Sequence, residues 1–114
     1  MDLIKNNINS LDELDEEGNN IIHKIVENNN SQILKQSLKY LKKKELLKII
    51  NQKNNIGYTP LHCAITNHNQ ECAQILINNG ADIKIITDDG YQVKWAKEKQ
   101  QKGGNLKIIG IRFI

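Results

Sequence analysis

The chain has 114 residues and a net charge of +3, and it is 39% hydrophobic but only 4% aromatic, enough for one domain with a modest aliphatic core. No apolar run approaches the ~20 residues of a bilayer span, and the basic residues are lysines with a single arginine and no interleaved aromatics. These features exclude a membrane span, argue against nucleic-acid binding, and leave Cys63 and Cys72 to be read as reduced, buried thiols of a cytoplasmic or nuclear protein.

The elements follow in order. Residues 2–9 read as a short helix with Leu3, Ile4 and Ile8 apolar. An acidic lead-in holds five carboxylates, Asp12, Glu13, Asp15, Glu16 and Glu17, and ends in a turn at Gly18. Asn20 is a candidate N-cap for a helix carrying Ile21, Ile22, Ile25 and Val26. Asn28–Ser31 breaks that helix, and a second follows with Ile33, Leu34, Leu38 and Leu41 at helical spacing. Lys42, Lys43 and Lys44 read as a solvated helix end. An extended loop over 51–56 leads to Gly57.

Thr59 is then a good N-cap and Pro60 suits the first helical position, where its missing N–H costs nothing. Leu61 and Ala64 face inward. His68–Asn69 marks a turn, Glu71 to Asn78 a second helix with Cys72, Ile75 and Leu76 inward, and Gly80 a left-handed C-cap. Another extended loop reaches Asp88-Asp89-Gly90.

Spacing turns this list into a repeat. Gly57 and Gly90 are 33 residues apart, and Gly18 and Gly57 are 39 apart, the extra six falling near Lys42–Leu47. Leu11, Ile50 and Ile83 each stand seven residues before a turn glycine; His23 and His62 each stand five after one. A helix–turn–helix–loop unit of about 33 residues is the sequence signature of a solenoid.

The stretch Gly57-Tyr58-Thr59-Pro60-Leu61-His62-Cys63-Ala64, with Leu76-Ile77-Asn78-Asn79-Gly80-Ala81-Asp82-Ile83, resembles an ankyrin repeat. The implied fold is an all-α ankyrin solenoid of about three helix–turn–helix units with extended finger loops. Its expected division is 1–10 as an N-terminal cap, 11–49 and 50–82 as repeats, and 83–114 as a degenerate terminal repeat. In that last unit Val93 takes the leucine slot, Ala96 the alanine slot, and Leu106–Ile114 the final helix. Either the chain stops with the apolar surface of that helix exposed, or that surface meets a partner or a second copy, the last giving a homodimer through it.

The join Ile50-Asn51-Gln52-Lys53-Asn54-Asn55-Ile56, running into Thr59-Pro60-Leu61-His62, is similar to the same join in IκB-type inhibitors of Rel/NF-κB transcription factors. So are the stretched first repeat and its acidic lead-in. IκB proteins carry about twice as many repeats and a paired-serine degradation signal that has no counterpart before Leu11. The resemblance therefore implies a shortened mimic that escapes signal-induced destruction, of the kind an AT-rich virus would carry into a host cell. Its partner would be a Rel/NF-κB subunit, whose basic localisation segment would meet the acidic finger.

The residues hold no expected catalytic, cofactor or metal site. His62, Cys63, His68 and Cys72 lack metal-ligand spacing, and His62 with Cys63 has no third group to orient a nucleophile. His23 and His62 are expected to tie adjacent repeats together. Binding is expected at the outward slots that the ankyrin resemblance implies. Beyond the acidic block these are Asn19, Asn55, Ile56, Tyr58, Thr66, Asn67, Asp88, Asp89 and Tyr91, with Ile56, Tyr58 and Tyr91 as apolar anchors. Glu27 and Asn28 occupy equivalent slots in the first unit. The alternative is a generic adaptor with an unrelated partner, its acidic finger merely solvated.

Overall fold

A computed structural model describes residues 13–97 and 106–112. The expected helix over 2–9 and the positions of Leu11 and Asp12 lie outside them.

Among the described residues five helices follow the first turn: α1 (Ile21–Glu27), α2 (Ser31–Leu38), α3 (Lys43–Ile50), α4 (Pro60–Thr66) and α5 (Gln70–Asn78). Asparagine starts three of them. Asn20 Oδ1 accepts from the Ile22 and His23 amides at 2.9 and 3.1 Å. Asn30 Oδ1 accepts from Ile33 at 3.0 Å and Asn69 Oδ1 from Cys72 at 2.9 Å. Thr59 caps α4 as expected, with Pro60 in its first turn. The two helix-to-helix turns are closed by residues in the left-handed region, Asn29 and His68, which are 39 positions apart like the glycines.

α1 with α2, and α4 with α5, are antiparallel pairs stacked side by side. Their shared interior is aliphatic: Ile22, Ile25 and Val26 from α1, Leu34 and Leu38 from α2, Leu61, Ala64 and Ile65 from α4, and Ala73 and Leu76 from α5. The extra six residues of the first unit do not lengthen α2. They form a separate helix, α3, entered through a corner at residues 39–42 and anchored by buried Ile49 and Ile50. Lys42–Lys44 thus begin a helix rather than end one. Asn20 Nδ2 bridges to the Ile49 carbonyl at 2.8 Å and to Gln52 Oε1 at 2.9 Å, holding the exit of α3 against the start of α1.

The terminal unit departs from expectation. Tyr91–Lys97 and Leu106–Arg112 are strands β1 and β2, paired antiparallel from Tyr91↔Arg112 to Lys97↔Leu106. The helices expected there, including the one assigned to Leu106–Ile114, are not formed by the described residues. Self-association through a C-terminal helix accordingly has no helix to act through. The reason is local. Tyr91-Gln92-Val93-Lys94-Trp95 alternates with period two, and the second segment is rich in β-branched isoleucine. Val93 and Ile108 share one face of the hairpin and are buried against the helices, so the hairpin caps the open end of the stack. Gln70 pins it there: its amide donates to the Ile108 carbonyl at 2.6 Å and accepts from the Ile108 N–H at 3.0 Å, replacing a missing strand.

Candidate protein-binding site

Three finger loops precede α1, α4 and β1, and all three are built alike. Asp15, Asn54 and Thr87 each stand three residues before a glycine with positive φ: Gly18, Gly57 and Gly90. In each finger the glycine N–H donates to the carbonyl of that first residue, at 2.9–3.0 Å. The first residue's own N–H reaches across the loop to the carbonyl of Asn19, Tyr58 or Tyr91, at 2.9–3.0 Å. Its side chain accepts from the backbone of that same far residue: Asp15 from Asn19, Asn54 from Tyr58, and Thr87 from Tyr91. Such side-chain-to-backbone bonds stabilise a turn without help from the core.

Neighbouring fingers lie against each other. Asn55 N–H donates to the Glu17 carbonyl at 2.9 Å, and Asn55 Nδ2 to the Glu16 carbonyl at 3.0 Å. Gly57 must be glycine twice over. Its φ is +85°, and a Cβ would stand 2.8 Å from the Asp88 amide nitrogen.

Between the first two fingers and the exposed ends of α1 and α4 runs a groove of about 500 Å³. Glu16, Glu17, Glu27, Asn19, Asn54 and Asn55 line it, with Ile56, Tyr58, Cys63, Thr66 and Asn67. The structure thus brings Glu16, Glu17, Asn19, Asn55, Ile56, Tyr58, Thr66 and Asn67 into one concavity. Its electrostatics are negative: burial first, then the nearby Glu17 and Asp15 charges, push the Glu27 carboxyl above its ordinary value. Ile56 is 63% exposed at the finger tip, an apolar side chain beside those carboxylates.

Other expected residues have different places. Asn19 is buried, accepting from Asn54 Nδ2 at 2.9 Å, so it is a strut of the groove rather than a free contact. Asp15 spends its carboxylate on the Glu17 and Asn19 amides; the Asn19 bond holds its pKa below the usual range. Glu13 is exposed and stands outside the groove. Asp88, Asp89 and Tyr91 form a second cluster on the third finger. There Tyr91 stacks on Tyr58 with centroids 5.9 Å apart, and Arg112 lies over the Tyr91 ring. Asp89 accepts from the Thr87 hydroxyl and pairs with Arg112, and these two, the hydroxyl first, hold its carboxyl below the usual range. Asn54, in the finger that runs from it to Tyr58, lines the groove as well, and so does Cys63, which the sequence pointed to only as a buried thiol.

The family of ankyrin repeats described as three copies matches residues 1–87. The chain belongs to the ankyrin-repeat family. Among relatives, the ankyrin chain is 27% identical over 97 residues to the nuclear factor NF-kappa-B p105 subunit of Rattus norvegicus, covering 85% of this chain and 10% of that protein. It is 43% identical over 49 residues to a probable E3 ubiquitin-protein ligase of Oryza sativa subsp. japonica, covering 42% of this chain and 10% of the ligase. It is also 43% identical over 42 residues to the human ankyrin repeat domain-containing protein 13C, covering 37% and 8%. The chain spans about a tenth of the length of these relatives.

In this ankyrin stack the histidines are structural. The Asn20 N–H donates to His23 Nδ1 at 3.1 Å, which leaves the Nε2–H to donate to the Tyr58 carbonyl of the next finger at 2.8 Å. His62 repeats the arrangement with Thr59 and, at 3.0 Å, the Ile85 carbonyl. Burial lowers both imidazole pKa values and keeps the rings neutral. Burial also pushes the Cys63 thiol up to about 12 and the Cys72 thiol to about 11, so neither is presented as a thiolate nucleophile.

Proposed function

We propose that this ankyrin module is an IκB-like inhibitor of a Rel/NF-κB factor, taking a basic segment of that factor into the groove between its first two fingers and so masking it. Ankyrin repeats are a protein–protein interaction module, and the finer reading rests on one observation. The groove sets Glu16, Glu17 and Glu27 around the exposed Ile56 and the half-buried Tyr58. A lysine- or arginine-bearing segment with an apolar neighbour satisfies both features, and its cation relieves the mutual repulsion of the carboxylates. The similarity to an NF-kappa-B p105 subunit supports the same direction. In this reading the protein works in the cytoplasm or nucleus of a host cell.

The test is capture of a Rel homology domain that retains its localisation segment. Glu16→Lys with Glu17→Lys should abolish capture while the thermal melt stays as in the parent, and parental capture should weaken with salt. Undiminished capture by the reversed variant removes the electrostatic reading. A second reading, an adaptor for an unrelated protein, is favoured by the 43% identities to other ankyrin-containing proteins. Failure of the folded parent to capture any Rel domain selects it.

A further inference from the structure

The insertion that breaks the 33-residue period carries its own surface. Lys39, Lys42, Lys43, Lys44 and Lys48 are all exposed along the corner between α2 and α3 and the outer side of α3, against one carboxylate, Glu45. Tyr40 is 46% exposed and Leu47 40% exposed among them. On α3, Lys43 with Leu47 and Lys44 with Lys48 are spaced one helical turn apart, so cations and an apolar side chain share one face. The helix is held to the stack by buried Ile49 and Ile50, with Ile50 lying beside Lys43 at i+7 spacing.

From this arrangement we infer that the α2–α3 corner is a peripheral docking surface for an anionic lipid bilayer. Three features favour a bilayer over a protein or nucleic-acid partner. The patch lies on the exposed corner between α2 and α3, apart from the groove, which is lined by other residues. Its cations are all lysine, hydrated point charges suited to diffuse attraction by a charged plane, whereas bidentate recognition of a defined phosphate favours arginine. Tyr40 and Leu47 supply the aromatic and aliphatic side chains that settle at headgroup level beside such lysines. Four to eight basic residues on a helix with an apolar complement form an electrostatic anchor without any membrane-spanning segment. No helix among the described residues is long and apolar enough to cross a membrane, and this surface requires none.

The experiment is co-sedimentation of the full chain with vesicles of phosphatidylcholine, with and without phosphatidylserine. The chain should pellet only with phosphatidylserine present and should be released by high salt. Lys43→Gln with Lys44→Gln should weaken binding by an order of magnitude or more, at roughly fivefold per lysine. Leu47→Ala should weaken it severalfold while keeping the salt dependence. Glu16→Lys with Glu17→Lys, in the finger groove, should not weaken it, which separates this inference from the Rel reading. Circular dichroism melts matching the parent keep each comparison interpretable. Binding that ignores phosphatidylserine, undiminished binding by the double lysine variant, or failure of the folded parent to pellet overturns the inference. So does tighter binding to duplex DNA or to an acidic protein with no vesicle binding.

Discussion

His23 and His62 each close a capping box through Nδ1 and a finger-to-finger bond through Nε2, and protonation would cost them the first of these. Burial places both folded pKa values below the ordinary 6.5, so the unfolded chain takes up the proton more readily. The stabilisation is therefore complete above about 6.5 and is lost as pH falls through the folded values. Asp15 and Asp89, with lowered pKa values, lose their contributions only below about 3.8, and the raised Glu27 works the other way just above 4.5. Between pH 7 and 5 the midpoint of thermal unfolding should fall, and His62→Gln should flatten that slope. Glutamine still reaches the cap amide, so the variant isolates the titration. At the finger, Gly57→Ala should cost about 1–3 kcal/mol, from a strained positive φ and the collision with Asp88. Thr59→Ala, a lost cap, should cost about 1 kcal/mol. Urea titration of the two variants should rank them in that order.

Among the elements, the sequence was most legible where a single physical signal acted alone. Asn20, Thr59 and Pro60 mark helix starts by side-chain chemistry, and the structure has helices there. The terminal hairpin was missed because two signals competed. The 33-residue register asked for helices over 91–114, while Tyr91, Val93 and Trp95 alternated with polar residues at strand period. The local period prevailed, since Val93 and Ile108 could be buried on one face and the edge of β2 could be paired by Gln70. The α3 helix was half legible: its place followed from the broken period, but the corner before it did not. Gln70→Ala should leave the helical stack folded while amide exchange of β2 accelerates sharply around Ile108. Unchanged protection there would mean that the packing of Val93 and Ile108 alone holds the hairpin.

At the scale of the molecule, the units are coupled through their neighbours, as expected of a stack. Leu61 sits in the middle of the chain's interior, and Leu61→Ala should cost about 2–5 kcal/mol as a cavity. Trp95 is the sole tryptophan and reports on the hairpin, whereas circular dichroism reports on the helices. In the parent the two transitions should coincide; in Gln70→Ala the tryptophan transition should come first. The groove was legible as a set of slots inherited from the repeat register, but its depth was not. That depth depends on Asn54 reaching Asn19 and Asn55 reaching Glu16 across 35 and 39 residues, distances over which a linear pattern says nothing.

The fingers have one more consequence. Because Asp15, Asn54 and Thr87 knot each loop through its own backbone, the two side chains before each glycine are not needed to close their own turn. Those pairs read Glu16-Glu17, Asn55-Ile56 and Asp88-Asp89: acidic, amide with aliphatic, and acidic again. A lineage, or an engineer, can therefore rewrite what this protein grips two letters at a time without opening the knot or moving the glycine; at Asn55 and Asp89 the exchange also gives up the bonds to Glu16 and Arg112.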